Sequence, residues 1–197
     1  PVRGIFASTE LAQTRDLVVL IPNCKHRFIL GDATSAFAGA YEDFERAISA
    51  QPKSPIQDER AGDTMLYSSG TTGRPKGIKR PLSGAHVSER LPGVEVNNPY
   101  GINADTVYLS PAPLYHAAPF GFCTRVLALG GTVVMMKSFD PQLALGYIEQ
   151  YSITHSQWVP TMFIRMLKLN EDIRSQYVLS THACAIHAAA PCPKEIK

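Results

Sequence analysis

The sequence at residues 67–77 is Tyr67-Ser68-Ser69-Gly70-Thr71-Thr72-Gly73-Arg74-Pro75-Lys76-Gly77. These residues favour neither a helix nor a regular strand, because glycine and proline interrupt both. Glycine lets backbone N–H groups turn toward one point and approach a ligand closely. The serine and threonine hydroxyls add donors, and Lys76 adds a point charge that suits a phosphate. The segment therefore predicts an anion-binding loop.

Residues 64–67 predict a strand that leads into this loop, so the loop is expected at the carboxyl end of a strand. Open α/β sheets bind ligands at such ends. The loop is not a P-loop, which needs a Gly-Lys-Ser/Thr triplet. Here Pro75 precedes the lysine and Gly77 follows it. The alternative, a surface loop without a ligand, is less favoured because a flexible linker has no use for a fixed cation.

Strands and helices alternate along the rest of the chain. One predicted strand ends at Phe6, and the others cover 17–21, 27–30, 64–67, 106–109, 132–136, 153–159 and 181–188. One predicted helix runs from Ser8 or Thr9 to about Arg15, and the others cover 41–50, 119–129, 141–151 and 161–169. Strands separated by such helices imply parallel βαβ units, so we expect an α/β fold with a doubly wound, mostly parallel sheet and helices on both faces. Residues 91–104 are rich in proline, glycine and asparagine and predict a mobile loop.

A connector at residues 51–62, which holds Pro52 and Pro55, predicts a division of the chain. Residues 1–62 would then be the end of a first α/β subdomain with its connector, and residues 63–197 a second one. No internal repeat is visible.

The composition is that of a folded domain. Hydrophobic residues are 45% of the chain and charged residues 18%, which excludes disorder as a class. The net charge of +2 is too small to indicate a nucleic-acid partner or an anionic membrane. The longest nearly apolar run, 126–136, is too short to span a bilayer. The scattered spacing of the four cysteines does not indicate a disulfide framework, so a cytoplasmic location is expected.

Three segments after the loop complete a pattern. In chain order they are a second motif, Pro111-Ala112-Pro113-Leu114-Tyr115-His116-Ala117-Ala118-Pro119, the segment Thr154-His155-Ser156-Gln157-Trp158-Val159-Pro160-Thr161-Met162, and a third motif, Ala188-Ala189-Ala190-Pro191-Cys192-Pro193. Together with the loop they resemble, in order and separation, the motifs of the acyl-adenylate-forming enzymes, which include acyl-CoA synthetases, luciferases and peptide-synthetase adenylation domains. The likeness covers the chain from about Asp63 onward and, more loosely, the residues before it. The segment at 154–162 resembles fatty acyl-CoA synthetases.

The resemblance implies a fragment of an ATP-dependent acyl-CoA synthetase that converts a carboxylic acid to an acyl-adenylate and then to a thioester of CoA. A medium or long fatty acid is expected from the likeness at 154–162. ATP, Mg²⁺ and CoA are the implied cofactor and co-substrates. The implied nucleotide-binding residues are Ser68, Ser69, Gly70, Thr71, Thr72, Gly73, Lys76, Ala189, Ala190 and Pro191. Lys76 and His116 are the implied catalytic residues, and the implied acid-binding residues are His116, Ala117, Trp158 and Thr161.

Several of these residues have a second interpretation. His116 either shapes the carboxylate entrance or is a hydrogen-bonded histidine at a strand end. Trp158 either forms a pocket wall or fills the core. Arg74 either contacts phosphate or braces the loop. His182, Cys184, His187 and Cys192 invite a metal site, but their spacing does not match that of zinc ligands, so no metal site is predicted.

Family members are considerably longer, and later segments of theirs hold the adenine, the ribose and a catalytic lysine. We therefore expect residues 1–197 to be part of a larger enzyme and to be inactive alone. The alternatives are a non-catalytic nucleotide-binding module and an adenylating enzyme that passes the acyl group to a carrier protein. A P-loop phosphotransferase is disfavoured by Pro75. The sequence predicts no oligomeric state.

Overall fold

The computed structural model describes residues 3–31, 37, 39–68, 76–89 and 98–196. The chain divides into two compact units, Pro1–Glu59 and Arg60–Lys197.

The first unit contains a parallel three-stranded sheet. Its strands are β1 (Gly4–Ser8), β2 (His26–Leu30) and β3 (Glu42–Asp43), in that order, and its helices are α1 (Thr14–Leu20) and α2 (Phe44–Ser49). The core comprises Ala7, Ile29 and Phe37, with Leu17 and Tyr41 packed against it. The predicted strand at 27–30 and the predicted helix within 41–50 are confirmed. Asp43 begins α2, because its carboxylate accepts a hydrogen bond from the backbone N–H of Arg46 at 2.7 Å.

Helix α1 corrects two predictions. Residues 17–21 were expected to form a buried strand, and the preceding helix was expected to begin at Ser8 or Thr9, but the helix covers Thr14–Leu20. Thr14 is fully buried and donates a hydrogen bond from Oγ1 to the carbonyl of Ser8 at 2.7 Å, which ties the helix start to β1. Val19 is 79% exposed, whereas a strand covered on both faces would bury it. A five-residue apolar run does not distinguish a strand from a helix by periodicity.

The second unit is built on a four-stranded parallel sheet in the order β7-β6-β8-β9. The strands are β6 (Val107–Ser110), β7 (Thr132–Met135), β8 (His155–Trp158) and β9 (Cys184–His187), after a hairpin of β4 (Leu66–Ser68) and β5 (Lys76–Ile78). The long helices are α3 (Ala117–Ala128), α4 (Pro141–Gln150) and α5 (Pro160–Leu167). All four predicted strands of this sheet and its three predicted helices are confirmed, with bounds shifted by a few residues.

The helices cover both faces of this sheet. On β6, Tyr108 packs with Cys123 and Val126 of α3, whereas Leu109 packs with residues of α4. The connection from β6 to β7 runs in one direction across the sheet, and those from β7 to β8 and from β8 to β9 run in the other. Since βαβ crossovers are right-handed, reversing the direction moves the helix to the opposite face. The doubly wound α/β fold is therefore confirmed.

Local chemistry sets the ends of two helices. The Asp140 carboxylate accepts hydrogen bonds from the N–H groups of Gln142 and Leu143, at 3.0 and 2.8 Å, and Pro141 occupies the first turn of α4. Helix α3 ends in a Schellman motif, in which Gly130 has φ +84°. The N–H of Gly131 donates to the carbonyl of Val126 at 2.9 Å, and that of Gly130 donates to Leu127 at 3.1 Å.

The strand before the predicted anion loop lies in a different kind of sheet from the one expected. Strand β4 pairs with β5 in an antiparallel hairpin, in which Tyr67 lies opposite Gly77 and Ser68 opposite Lys76. A parallel partner is excluded because residues 69–75 are too few for a crossover, which needs about a dozen or more. The loop thus follows the carboxyl end of a strand, as predicted, but it joins the two arms of a hairpin.

Residues 91–104 were expected to form a mobile loop. Residues 91–97 lie outside the described residues, residues 98–104 form no helix or strand, and the mobility stays a prediction. The Asn98 amide donates to the carbonyl of Ile102 at 2.7 Å and accepts from its N–H at 3.1 Å. Ile102 is buried in the cluster beneath α3. A ring nitrogen of His155 lies 2.8 Å from the carbonyl oxygen of Tyr100. These contacts anchor the segment to the sheet.

Four short elements in the described part of the chain were not predicted: strands β3 and β5, helix α6 (Glu171–Arg174) and a 3-10 helix at Lys194–Ile196. Each is at most four residues long, which is below the length at which a periodic pattern can be recognised. Within the described part of the chain, no helix has the length and apolar character needed to cross a bilayer.

Candidate functional site

The strand order creates a switch point between β6 and β8. The connections that leave the carboxyl ends of these neighbouring strands run to opposite sides of the sheet. Such a divergence opens a crevice beyond the carboxyl ends of the strands, where α/β sheets bind ligands. The segment after β6 carries His116 and Ala117, and the segment after β8 carries Thr161. The third motif follows β9, so three of the four motif segments lie at one edge of one sheet.

His116 lies at the start of α3. It is the N-cap residue of this helix, its side chain makes no capping hydrogen bond, and it is exposed. Its ring lies 4.3 Å from the ring of Tyr115, measured between centroids, and Tyr115 is 83% exposed. Ala117, the first residue of α3, is exposed as well. The positive end of the helix dipole and an unburied imidazole thus lie together at the crevice, a favourable place for an anionic group.

Trp158 and Thr161 differ in their surroundings. Trp158 is 1% exposed, its ring packs against Phe139 and Phe163 with centroids 6.2 and 5.9 Å away, and its Nε1 donates to the hydroxyl of Ser156. This burial supports the core interpretation of Trp158, and contact with an acid stays a prediction. Thr161 is the second residue of α5 and is exposed near the carboxyl end of β8.

The third motif begins where β9 ends. The N–H of Ala188 donates to the carbonyl of Trp158 at 3.0 Å, and Ala189, Ala190 and Pro191 are exposed beyond it. Ala189 has φ +72°, in the left-handed region that favours glycine. The turn therefore holds a small residue in a strained conformation at the rim of the crevice, and its adenine-binding role stays a prediction.

Most of the predicted phosphate loop lies outside the described residues. Ser69, Gly70, Thr71, Thr72, Gly73 and Arg74 lie outside the described residues. Ser68 ends β4, and Lys76 begins β5 opposite it, exposed to solvent. The segment that leads to β4 faces α3 across a cleft of about 510 Å³, lined by Gly62, Asp63, Thr64, Phe120, Gly121, Thr124, Arg125 and Ala128. The segment that leads into the hairpin therefore lies beside α3, the helix at whose start His116 is located.

Beneath α3 the sheet buries polar side chains that the sequence interpretation did not select. Ser110 is 2% exposed and Gln157 is 1% exposed, and each lies at or next to the end of its strand. Burial raises the pKa of the Cys123 thiol on α3, and a hydrogen bond with the Ser110 side chain partly offsets this rise. Burial also raises the pKa of Tyr108. The signal in the sequence that could have identified Gln157 is that it is a glutamine inside an otherwise buried strand.

On the opposite face, polar groups pair with one another. The Ser156 hydroxyl lies 2.6 Å from Nε2 of His182. His155, one residue earlier on β8, points to the α3 face instead, and its Nδ1 lies 2.8 Å from Oγ1 of Thr154. Burial, and to a lesser degree His155, lowers the pKa of His182. Among the residues that the structure describes, no three His, Cys, Asp or Glu side chains lie together closely enough to hold a metal ion.

Comparisons with known proteins agree with this architecture. A family model described as AMP-binding enzyme matches residues 7–197. The chain is 29% identical over 143 residues to a 4-hydroxybutyrate–CoA ligase of Metallosphaera sedula, a match that covers 73% of this chain and 25% of that protein. It is 38% identical over 100 residues to a feruloyl-CoA synthase of an Amycolatopsis species, covering 50% of this chain and 20% of that one.

Among solved structures, an anthranilate CoA ligase in complex with anthranoyl-AMP superposes with a TM-score of 0.73 at 20% identity. The superposition covers 98% of this chain and 37% of that one. At this identity the likeness shows the fold alone. The chain spans about a quarter of the length of the curated relatives that it matches.

Proposed function

Because this chain belongs to the family of AMP-binding enzymes, we propose that it supplies the phosphate-binding loop and much of the acid-binding crevice of an AMP-forming acid–CoA ligase. The single observation that supports this most is the convergence of the second and third motifs and the end of β8 at one sheet edge, around the switch point between β6 and β8.

The proposed reaction has two steps. A carboxylate oxygen of the acid attacks the α-phosphorus of ATP, the bond to the β-phosphate oxygen breaks, and pyrophosphate leaves. The thiol of CoA then attacks the acyl carbon, loses its proton and displaces AMP. A carboxylate is a poor electrophile because its leaving group would be oxide, and the mixed anhydride removes that obstacle. The main physical task of the protein is to bring together anions that repel each other and to stabilise the charge that grows on pyrophosphate.

Each part of the proposed site has one of these tasks. Ser68 to Gly73 would wrap the β- and γ-phosphates, and Lys76 would neutralise part of their charge. Exposed Lys76 at the start of β5 has the freedom to reach a ligand held by the loop. His116, at the positive end of α3, would orient the carboxylate, with Ala117 and Thr161 beside it. Ala189, Ala190 and Pro191 would line the adenine.

The use of Mg²⁺ is a separate part of the proposal. The described part of the chain offers no cluster of three acidic or histidine side chains for the ion. Mg²⁺ is commonly held by substrate phosphates with one or two carboxylates. Neither step of the proposed reaction is therefore assigned to Mg²⁺, and its use stays a prediction.

The nature of the acid and the location of the protein are further proposals. A fatty acid was expected, but the relatives are named for 4-hydroxybutyrate and feruloyl-CoA, and the superposed structure for anthranilate. Acids with a polar substituent are therefore candidates as well. All four cysteines are free, which fits the expected cytoplasmic location. We also keep the division at 1–62 and 63–197 as the proposed limits of the subdomains.

Replacing Lys76 tests the proposal in the whole protein that contains this chain. We expect Lys76→Ala to slow acid-dependent exchange between ATP and pyrophosphate by about a hundredfold or more, as the loss of one preorganised donor does elsewhere. Lys79→Ala is the matched control, because Lys79 is exposed one residue beyond β5 and its replacement causes the same change of net charge. Hydroxamate trapping of the activated acyl group separates an enzyme from a module that only binds nucleotide. Unchanged exchange in Lys76→Ala would refute the role of the loop.

A further inference from the structure

Gln157 is buried with half of its amide unsatisfied. The side chain is 1% exposed, and its Nε2 donates to the carbonyl oxygen of Trp158 at 2.9 Å. A carbonyl only accepts hydrogen bonds, so this contact assigns the amide orientation and identifies Oε1 as the other atom. Among the described residues, Oε1 has no hydrogen-bond partner. A buried acceptor without a partner is rare in native proteins and calls for an explanation.

The position of this amide relates it to the crevice. Successive side chains of a strand alternate between faces, and Trp158 points into the core beneath α4 and α5. Gln157 therefore points to the face that α3 covers. The carbonyl that holds its amide is the last of β8, and that carbonyl also accepts from Ala188 at the start of the third motif. On the other side, the register of β6 and β8 places Ser110 next to Gln157 on the same face. The amide thus lies at the switch point, between the second and third motifs.

The surroundings offer little to satisfy Oε1. The Ser110 hydroxyl is directed to the carbonyl of Ala112, at 3.5 Å, and also interacts with Cys123. The hydroxyl of Tyr108, two residues deeper on β6, is itself buried without a partner in the described part of the chain. Among the described residues, the face beneath α3 therefore holds two unsatisfied polar groups, whereas Ser156 and His182 on the opposite face pair with each other.

We infer that Gln157 selects the acid, with its Oε1 accepting a hydrogen bond from a hydroxyl or neutral amino group that the acid carries. This inference rests on the proposed function. A charged substituent is disfavoured because burying an unpaired charge is far more costly than burying a neutral donor. A plain fatty acid would leave Oε1 unsatisfied, and sites built around a buried acceptor discriminate strongly against ligands that lack the matching donor.

The test compares matched acids in the whole protein, with ATP–pyrophosphate exchange as the readout. Short straight-chain acids and aryl acids are each supplied with a hydroxyl group, without it, and as the methyl ether, which keeps the oxygen but donates no hydrogen bond. We expect kcat/KM to favour the hydroxylated acid over both analogues by about tenfold or more. Exchange with acids of every type but no preference for the hydroxyl would overturn the inference, whereas no exchange with any acid would sink the proposed function instead.

Gln157→Met separates selection from structural support. Methionine has a similar length and shape but no acceptor of comparable strength. We expect the preference for the hydroxylated acid, measured as the ratio of the two kcat/KM values within the variant, to fall to about twofold or less. Gln150→Met, the same change at the exposed end of α4, should keep the native preference. A preference that survives in Gln157→Met, or that Gln150→Met removes equally, would overturn the inference. Should Gln157→Met fail to fold, Gln157→Leu, which likewise lacks an acceptor, takes its place in the same comparison, and a preference that survives in it would overturn the inference.

Discussion

Replacing Gly131 by alanine should destabilise the second unit, although both residues are small. A Cβ at this position would lie 2.8 Å from Cγ1 of Val126, 2.9 Å from the carbonyl oxygen of Thr106 and 3.1 Å from that of Asn103. Two of these neighbours are backbone atoms held by hydrogen bonds. The Thr106 carbonyl accepts from the N–H of Thr132 at 2.8 Å, and the Asn103 carbonyl accepts from that of Thr106 at 3.1 Å. They cannot move without breaking these hydrogen bonds, which lie at the starts of β6 and β7.

The magnitude follows from the cost of inserting a methyl group into a packed site, which is about 1–3 kcal/mol. For a chain of this size, each kcal/mol shifts the melting temperature by roughly 2–4 °C, so we expect a loss of about 2–12 °C. Thermal unfolding and the urea midpoint both measure it. The slope of the urea transition should not change, because the native fold is kept.

Gly121→Ala is the matched control. Gly121 lies within α3, and no atom lies within 4 Å of the Cβ that alanine would add. Since glycine in a helix interior is less favourable than alanine by roughly 0.5–1 kcal/mol, this variant should be more stable than the native protein. Two identical substitutions ten residues apart are therefore expected to have opposite signs. If Gly131→Ala were as stable as the native protein, the inferred close approach of residue 131 to the carbonyl oxygen of Thr106 would be wrong.

Two further predictions concern the rim of the crevice and the opposite face of the sheet. Ala189→Val should lower stability by about 1–2 kcal/mol, because a β-branched residue tolerates a positive φ poorly, whereas Ala190→Val should cost less; equal urea midpoints would contradict this. The pKa of His182 is lowered on folding from its ordinary value of 6.5, so the native state binds fewer protons than the unfolded state. The stability that neutral His182 contributes is therefore complete above about pH 6.5 and declines as the pH falls through its lower folded pKa. In urea titrations between about pH 8 and pH 5.5, His182→Gln should show a smaller decline, because a glutamine amide can hydrogen-bond with the Ser156 hydroxyl and does not titrate in this range; an unchanged decline would rule His182 out as the cause.

Helices and strands with local signals were predictable from the sequence. The cap at Asp140, the proline after it and the glycine pair after Leu129 each specify an end of a helix through atoms a few residues away. The alternation of such helices with short apolar strands was enough to predict the doubly wound fold. The apolar run at 17–21 lacked any such signal, and only the burial of Thr14 against β1 decided that it is helical.

The chemistry of the proposed site was visible in the sequence as types of residue, and its arrangement was not. The hydroxyls, glycines and lysine of 68–76 predict an anion loop without any knowledge of the fold, because their hydrogen-bonding capacity is a property of the residues themselves. That Gln157 points to the α3 face while Trp158 fills the core depends on which strands flank β8 and on which helix covers each face. Those relations join residues dozens of positions apart, such as Val107 and Thr154, so they are determined by tertiary packing and by no local pattern.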